Sequence, residues 1–337
     1  ASMVGAAVLK KGGNAFDAAI ATQFALAVVF PGAGNIGGGG FTLARKQNGE
    51  LIGIDYREAA PAKGSRDMYL DEKGNPIPGK STNGATASGI PGSVAGMFST
   101  HAYAKLPMSK LIEPAIELAK YGFVISDKEA RGLNNTRSAF VKNSATTSAF
   151  TQKQNWKGGD TLYQPDLAAT LIRIQQNGLA GFYEGITADL IVKEMSFSGG
   201  YIAKEDLKKY TPKFRKPIEF DYKGHHIISF APPSSGGILI AQMMKMIEPY
   251  HVEKMGLNTL ESVMLMVEAQ RRAYADRAEH MGDPDFWKVP TSTLISDTYI
   301  KERMSDYQPG VVGSSKTTIA GQAKESEETT HFSVIDQ

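Results

Sequence analysis

The stretch that decides the fold is Thr329-Thr330-His331-Phe332-Ser333-Val334-Ile335-Asp336, near the end of the 337-residue sequence. Its aromatic and β-branched residues at 332–335 predict a strand that begins directly after a pair of threonines. Residues 305–328, just before it, are rich in Ser, Gly, Thr, Lys and Glu, which is typical of a flexible segment. A threonine that opens a strand behind such a segment is a candidate for a residue that cleavage turns into an N-terminus.

Cleavage before Thr329 would give this threonine a free α-amino group. An α-amine has an ordinary pKa of about 7.7–8.0, so near neutral pH it can accept the proton of the threonine hydroxyl and activate it as a nucleophile. The same hydroxyl would first attack the carbonyl of Glu328, so that the amide becomes an ester that water then hydrolyses. Because Thr-Thr pairs are also frequent in edge strands, this pattern by itself leaves a purely structural threonine as the alternative.

Four further motifs precede this stretch along the chain. They are Asn35-Ile36-Gly37-Gly38-Gly39-Gly40-Phe41, Asp55-Tyr56-Arg57-Glu58-Ala59-Ala60-Pro61, Pro232-Pro233-Ser234-Ser235-Gly236-Gly237, and Tyr274-Ala275-Asp276-Arg277 with Gly282-Asp283-Pro284-Asp285-Phe286. Together with Thr329-Thr330-His331, and in this order, they resemble the γ-glutamyltransferase (γ-glutamyltranspeptidase) family of N-terminal-nucleophile hydrolases. The resemblance covers essentially the whole chain. It implies a layered α/β fold, the αββα sandwich of that superfamily, incomplete in this chain.

The resemblance also implies an activity and a set of site residues. The enzyme would act on glutathione and other γ-glutamyl compounds through a γ-glutamyl ester on Thr329, which water, an amino acid or a peptide amine then resolves. Glu328 and Thr329 would form the autoproteolytic processing site, with Thr330 and His331 as possible supporting residues. Arg57 would bind the α-carboxylate of the γ-glutamyl group.

Arg57 lies at the end of a predicted strand, within Asp55-Tyr56-Arg57-Glu58. This position suits binding, because a rigid strand end can direct a planar guanidinium group at a carboxylate and donate two hydrogen bonds to it. The alternative is a surface ion pair with Asp55 or Glu58, the ordinary role of an arginine beside acidic residues.

The domain organisation is likewise an implication of the resemblance. Residues 1–328 would form most of a large subunit, with 305–328 as a flexible segment before the processing site, and 329–337 would begin a small subunit cut from the same precursor. The sequence starts within a helix-like run and stops just after a strand-like one, so we expect both ends to be truncated. Oxyanion donors would lie in the small subunit, so this chain alone is expected to be inactive. The pair Glu327-Glu328 is a departure from the uncharged polar residue common in the family, and would slow or tune processing.

The composition excludes several kinds of site and partner. There is no cysteine, so disulfides, thiolate catalysis and cysteine-based zinc sites are excluded. The formal net charge of +2 gives no reason to expect nucleic acid or an anionic membrane as a partner. The longest apolar run, residues 24–30, is too short to span a membrane. The histidines form no H-E-x-x-H pattern, and we expect neither a metal nor a cofactor. Residues 1–10 are helix-like, so we expect no signal peptide within them, and a periplasmic or secreted bacterial location is an implication of the resemblance alone.

Two motifs suggest other chemistry. Gly32-Ala33-Gly34-Asn35-Ile36-Gly37 satisfies G-x-G-x-x-G, but a predicted helix precedes it and a predicted strand follows, the reverse of the dinucleotide-binding order. We expect glycines 37–40 instead to let another segment approach closely. Ser234 and Ser235 lack a G-x-S-x-G context, so we expect a helix N-cap there and no nucleophile.

Periodicity and turn signals predict the surrounding elements. Strands are expected at 41–46 and 51–57, joined by Asn48-Gly49 and paired antiparallel. A helix at 14–29, capped by Asn14 and apolar nearly all round, is expected to be buried. A second hairpin is expected from 217–222 and 225–230, and further helices near 109–121, 165–177, 180–196, 236–249 and 259–281.

Three alternatives to the γ-glutamyltransferase interpretation stay open. A related acylase or a poly-γ-glutamate depolymerase would share the processing site, whereas a non-catalytic binding scaffold would keep the fold and never be cleaved. The Arg57 motif favours a substrate with a free α-carboxylate. A new N-terminus reading Thr-Thr-His-Phe in the full-length product would separate the enzymes from the scaffold.

Overall fold

The structure, a computed structural model, describes residues 1–315 and 334–336. The predicted site residues Glu328, Thr329, Thr330 and His331 therefore lie outside the described residues. Of the predicted strand at 332–335, the two described residues are in no strand. Next to them, the side chain of Asp336 accepts the backbone N–H of Ala15, at 2.7 Å.

Helices and strands are mixed along the described chain. The helices are α1 (Ser2–Lys10), α2 (Ala15–Val29), α3 (Ser93–His101), α4 (Met108–Tyr121), α5 (Asp127–Asn143), α6 (Pro165–Asn177), α7 (Ala180–Tyr183), α8 (Gly185–Ser198), α9 (Lys204–Lys209), α10 (Gly236–Ile247), α11 (Leu260–His280), α12 (Thr291–Leu294) and α13 (Asp297–Arg303). The strands are β1 (Phe41–Arg45), β2 (Leu51–Asp55), β3 (Phe123–Val124), β4 (Thr161–Leu162), β5 (Lys213–Phe214), β6 (Ile218–Tyr222) and β7 (His225–Ser229). They form one three-stranded sheet, β1-β2-β5, and the two-stranded sheets β3-β4 and β6-β7.

Contacts divide the chain into two compact units. The described part of the first unit is 1–42, 54–213 and 334–336, and that of the second is 43–53 and 214–315. No helix in the described part of either unit is long and apolar enough to cross a membrane.

The first unit is built around α2, the predicted buried helix. Its start is fixed by a capping box, in which Asn14 accepts the N–H of Asp17 and the Asp17 carboxylate accepts the N–H of Asn14. Ile20 and Phe24 are at most 1% exposed, and α2 packs against α1, α3 and α4. The carboxylate of Asp17 also accepts the N–H groups of residues 105 and 106, so the cap ties α2 to the loop before α4. The predicted position, cap and burial of this helix are confirmed.

The first hairpin is confirmed as well. Gly40 and Tyr56 exchange both backbone hydrogen bonds, at 3.3 and 3.0 Å, which is the antiparallel pattern. The turn holds Gly49 at φ +87°, in the left-handed region that glycine adopts without strain. The second strand is buried from Ile52 to Tyr56, as its apolar residues on both faces predicted.

The second unit combines the β6–β7 hairpin with α10–α13. Lys223 and Gly224 both have positive φ, so they form the tight turn that the sequence predicted. Ile218 and Phe220 of β6 pack against Ile238 of α10 and Leu294 of α12 in one core. A second cluster joins α10, α11 and α13 through Met246, Leu265 and Ile300, among others.

One predicted helix is wrong in detail. The helix expected at 180–196 is two helices, because Glu184 is extended and Gly185 has φ +58°. A residue in the left-handed region interrupts the helical hydrogen bonds, and glycine adopts it at no steric cost.

Candidate functional site

Arg57 follows β2 by two residues, where the buried strand reaches the surface. Residues 52–56 are buried, whereas Arg57 and Glu58 are exposed. The carboxylate of the buried Asp55 accepts the backbone N–H of Arg57 at 3.1 Å. This local turn fixes the backbone at the strand end, which is typical of aspartate at such positions.

A glycine turn packs directly on this strand end. A Cβ atom on Gly39 would lie 2.6 Å from the carbonyl oxygen of Tyr56, 2.7 Å from the amide nitrogen of Glu58 and 2.8 Å from the Cα atom of Arg57. Real Cβ atoms do not approach backbone atoms so closely, so the contact needs glycine. The predicted close approach of another segment is confirmed at Gly39 and Gly40, which meet residues 56–58, but not at Gly37, where a Cβ atom would meet no described atom within 4 Å.

Two more segments hold the glycine turn and the backbone of Arg57 in place. The carbonyl oxygen of Gly38 accepts the N–H groups of Gly92 and Ser93, at 2.7 and 2.9 Å. The hydroxyl group of Tyr210 donates to the carbonyl oxygen of Arg57 at 2.7 Å. Burial raises the pKa of Tyr210 above its ordinary value, so the phenol keeps its proton and remains a donor throughout the neutral range. The backbone of Arg57 is thus held at its N–H, its Cα and its C=O.

The guanidinium group of Arg57 is less restrained than its backbone. Within residues 1–315 and 334–336, no carboxylate lies within ion-pair distance of it. The surface ion pair with Asp55 or Glu58, the alternative interpretation of this arginine, is therefore not formed. The arrangement is a fixed backbone that carries an exposed, bidentate hydrogen-bond donor.

The second unit contains the other two motifs. Ser235 occupies the N-cap position of α10, as expected, but its hydroxyl makes no capping bond and accepts a hydrogen bond from Nε of Arg277 at 3.1 Å. Arg215 donates two hydrogen bonds to the carboxylate of Asp285, both at 2.8 Å. The N–H of Asp285 in turn donates to the Asp283 side chain at 3.0 Å. These two carboxylates stabilise a turn, and in the described residues no group of three or more His, Asp or Glu could hold a metal.

The sequence reasoning missed a buried polar network in this unit. Asp276 is 6% exposed, and its carboxylate accepts a hydrogen bond from Gln242 at 2.8 Å and faces Arg303 at 3.1 Å. Burial raises the pKa of Asp276 despite the nearby guanidinium group. The only sequence signal was Asp276-Arg277 within a family-like motif, because Gln242 and Arg303 are more than 25 residues away along the chain.

Thr329 lies outside the described residues, so its predicted roles in processing and in catalysis stay predictions. The same holds for Glu328, Thr330 and His331. What the structure supplies is the geometry of one candidate binding residue, Arg57, in the first unit.

Comparisons with known proteins agree with the motifs. The sequence matches the family described as gamma-glutamyltranspeptidase over residues 1–337. The glutathione hydrolase proenzyme of Escherichia coli (strain K12) is 43% identical over 342 residues, which cover 100% of this chain and 59% of that protein. The crystal structure of Helicobacter pylori gamma-glutamyltranspeptidase has a TM-score of 0.91 at 42% identity, covering 97% of this chain and 95% of that chain. The acylase ACY 1 proenzyme of Pseudomonas sp. (strain V22) is 35% identical, over 100% of this chain and 61% of that protein.

Two predictions are confirmed by these similarities. The resemblance stated from the motifs extends over the whole chain, and the fold class is the α/β fold of the N-terminal-nucleophile hydrolases. The chain spans about three-fifths of the length of the curated relatives that it matches.

Proposed function

The chain belongs to the gamma-glutamyltranspeptidase family, and we propose that the whole protein is a γ-glutamyltransferase and glutathione hydrolase. Its donors would be glutathione and other γ-glutamyl compounds, in line with the name of the E. coli relative. Residues 1–328 would form most of the large subunit and 329–337 the start of the small one, both cut from one precursor. The remaining part of the small subunit would be needed for activity.

Processing would be autocatalytic. The hydroxyl oxygen of Thr329 attacks the carbonyl carbon of Glu328, and the C–N bond breaks as an ester forms. Water then hydrolyses the ester, which leaves a carboxylate on Glu328 and a free α-amine on Thr329. Thr330 and His331 are the nearest residues in sequence that could support this step.

Turnover would use the same hydroxyl. The α-amine accepts its proton while the oxygen attacks the δ-carbonyl of the γ-glutamyl donor, and the protonated amine returns a proton to the leaving amine. A γ-glutamyl ester on Thr329 results. Water resolves it to glutamate in hydrolysis, whereas the amine of an amino acid or peptide resolves it to a new γ-glutamyl amide in transfer.

Arg57 carries this proposal on the structural side. Its backbone is held by Asp55 and Tyr210, while its guanidinium group has no carboxylate partner among the described residues. A γ-glutamyl compound presents a free α-carboxylate, the planar anion that a guanidinium group binds with two hydrogen bonds. We assign Arg57 to the α-carboxylate of the donor.

The alternatives differ in what Arg57 would meet. The acylase relative supports an acylase as a second candidate, and a depolymerase of poly-γ-glutamate would also present carboxylates. A non-catalytic scaffold would need neither Thr329 nor Arg57. We further propose that the protein is exported to the periplasm or the medium, and that it needs no metal or cofactor.

The test follows the N-terminus and the activity of the full-length gene product. We expect a second chain that begins Thr-Thr-His-Phe, and release of p-nitroaniline from γ-glutamyl-p-nitroanilide that glycylglycine accelerates. Thr329→Ala should leave one uncut, inactive chain, because no hydroxyl remains to start the acyl shift.

Thr330→Ala is the matched control, since it removes the neighbouring hydroxyl and should still be cut at the same bond. Maturation of Thr329→Ala at the Glu328–Thr329 bond would mean that an external protease cuts the chain. A matured enzyme that ignores γ-glutamyl-p-nitroanilide but cleaves acyl side chains from β-lactams would favour the acylase.

A further inference from the structure

Tyr210 reaches the backbone of Arg57 from a distant part of the chain. It follows α9 directly and lies in the first unit, as Arg57 does. Its hydroxyl group donates a hydrogen bond of 2.7 Å to the carbonyl oxygen of Arg57. The Asp55 carboxylate accepts the N–H of the same arginine. The peptide groups on both sides of the Arg57 Cα atom are therefore bound to side chains.

The ring of Tyr210 is fixed by a second tyrosine. It stacks on the ring of Tyr183 in α7, with the ring centroids 6.0 Å apart and the two planes 5° from parallel. Tyr183 is itself 6% exposed. Its hydroxyl group donates to the carbonyl oxygen of Pro91 at 2.9 Å and accepts the N–H of Ala95 at 3.2 Å. The stacked ring is thus held by its own hydrogen bonds, so Tyr210 packs on a rigid surface.

Gly92 leaves room for the hydroxyl group of Tyr210. A Cβ atom on Gly92 would collide with this hydroxyl group and with the carbonyl oxygen of Tyr56. The N–H of Gly92 donates to the carbonyl oxygen of Gly38 at 2.7 Å, which fixes the backbone at this point. Any side chain at position 92 would therefore displace either the hydroxyl group or the strand end, and only glycine permits the contact.

We propose that Tyr210 is a positioning residue for the donor substrate, because it fixes the backbone from which the guanidinium group of Arg57 extends. This inference rests on the proposed function, in which Arg57 binds the α-carboxylate of the donor. Two parallel hydrogen bonds to a planar anion form only when the guanidinium group has the right position and orientation. Tyr210 acts through Arg57 and is not itself a catalytic residue.

The expected effect is on KM. The α-carboxylate of the donor is bound both before and during the attack on its δ-carbonyl. Weaker binding of this group therefore raises KM and leaves kcat nearly unchanged. Loss of one neutral hydrogen bond behind Arg57 should raise the KM for glutathione about fivefold.

The experiment compares Tyr210→Phe with Tyr69→Phe in the mature full-length enzyme. Tyr69 is the matched control, because its hydroxyl group also donates to a backbone carbonyl, that of Thr86, at 3.0 Å. Each substitution removes one such bond and keeps the ring, so both should lower the free energy of unfolding by similar amounts. We expect the KM for glutathione to rise about fivefold in Tyr210→Phe, with kcat within about twofold of the wild type. Tyr69→Phe should leave both constants unchanged.

A double-mutant cycle separates positioning from a general loss of structure. In an Arg57→Ala background, Tyr210→Phe should leave kcat/KM unchanged, because no guanidinium group remains to be positioned.

An unchanged KM for Tyr210→Phe would overturn the proposal, and so would an equal loss of kcat/KM with and without Arg57. A Tyr210→Phe precursor that is never cut would overturn it too, because a residue that positions only the donor has no part in processing. Failure of the proposed function has a different signature, a mature wild-type enzyme that does not cleave glutathione.

Discussion

Arg57 in the first unit and Arg272 in the second are held by opposite ends. The fold grips the backbone of Arg57, through Asp55 at its N–H and Tyr210 at its C=O, and leaves the guanidinium group exposed. The side chain of Arg272 is only 10% exposed. Its guanidinium group is bound by the Glu268 carboxylate, by Asp306 and by the carbonyl oxygen of Arg303.

The difference separates an arginine that can bind a ligand from one that stabilises the fold. The donors of Arg272 are occupied by protein acceptors, so a ligand could reach them only after a buried network had come apart. Arg57 requires no such rearrangement, because its backbone is already in place and its donors face solvent. A family motif does not by itself make this distinction, and neither does the abundance of nearby carboxylates.

The largest expected effect is on stability, from Arg272→Ala. The substitution leaves the buried Glu268 with Arg271 as its one cationic partner among the described residues, and loss of one member of a buried ion pair costs about 3–5 kcal/mol. Urea unfolding of the mature full-length protein, followed by circular dichroism, measures this loss. Arg66→Ala is the control, because Arg66 is 96% exposed beside Asp67 and should change almost nothing. A loss below about 1 kcal/mol for Arg272→Ala would contradict the assignment of this arginine to the fold.

Arg57→Ala should show the reverse pattern. We expect kcat/KM on glutathione to fall by an amount that corresponds to about 2–5 kcal/mol, because one charged partner of the donor carboxylate is gone. The free energy of unfolding should change by less than about 0.5 kcal/mol, since the Arg57 side chain is exposed and forms no ion pair with a described residue. Arg57→Lys should already be costly, because an ammonium group cannot reproduce two parallel hydrogen bonds.

Arg45→Ala is the matched control for Arg57, since Arg45 is also an exposed arginine at the end of a strand. Its kcat/KM should be unchanged. A normal kcat/KM for the Arg57→Ala enzyme would mean that Arg57 does not bind the substrate. The contrast between a ligand-binding Arg57 and a structural Arg272 would then be wrong.

Gly39→Ala tests whether the backbone support of Arg57 matters. The new Cβ atom would meet three backbone atoms of residues 56–58 within 2.8 Å, so the strand end must shift, at a cost of about 1–3 kcal/mol in stability. We also expect kcat/KM to fall, because the guanidinium group moves with its backbone. Gly37→Ala is the control, because a Cβ atom there would meet no atom of the described residues within 4 Å, and both quantities should stay near those of the wild type.

The sequence predicted those helices and hairpins whose capping and turn residues lie within the element itself. The helix Ala15–Val29 carries its own capping box, and the hairpin of β1 and β2 carries the Asn48-Gly49 turn. Helix α5 was missed, although Ser126 and Glu129 form a capping box at its start. Its buried side chains are only Ala130 and Leu133, so it lacks the apolar period on which the prediction depended.

The binding residue of the candidate site was predictable from the sequence, but the residues that fix its backbone were not. The motif and the strand end pointed to Arg57, and the glycine run pointed to a close approach of chains. Tyr210, which binds the carbonyl oxygen of Arg57, lies 153 residues away along the sequence. The pairing of Arg215 with Asp285 spans 70 residues. No spacing rule reports such contacts, because tertiary packing alone brings the partners together.

The smallest expected effect concerns a third arrangement, a cation that is both exposed and paired. On the β6–β7 hairpin, the two ring nitrogens of His226 lie 2.9 Å from the Asp221 carboxylate and 3.0 Å from that of Glu219. Hydrogen bonds to Asp221 and then to Glu219 raise the pKa of His226 above its ordinary value, because both ring nitrogens must carry a proton to donate to both carboxylates.

The sign of the pH dependence follows from that direction. The stabilisation is fully present below the unfolded pKa of about 6.5 and is lost as the pH rises through the higher folded pKa. An NMR titration of the full-length protein should show the raised pKa, and Asp221→Asn should bring it back toward about 6.5. Asp166→Asn, a substitution in the first turn of α6, is the control and should leave the titration unchanged. If His226 of the wild type titrates at its ordinary pKa, the exposed carboxylates on this hairpin do not stabilise the protonated ring. Ion pairs would then contribute to stability only where they are buried, as at Arg272.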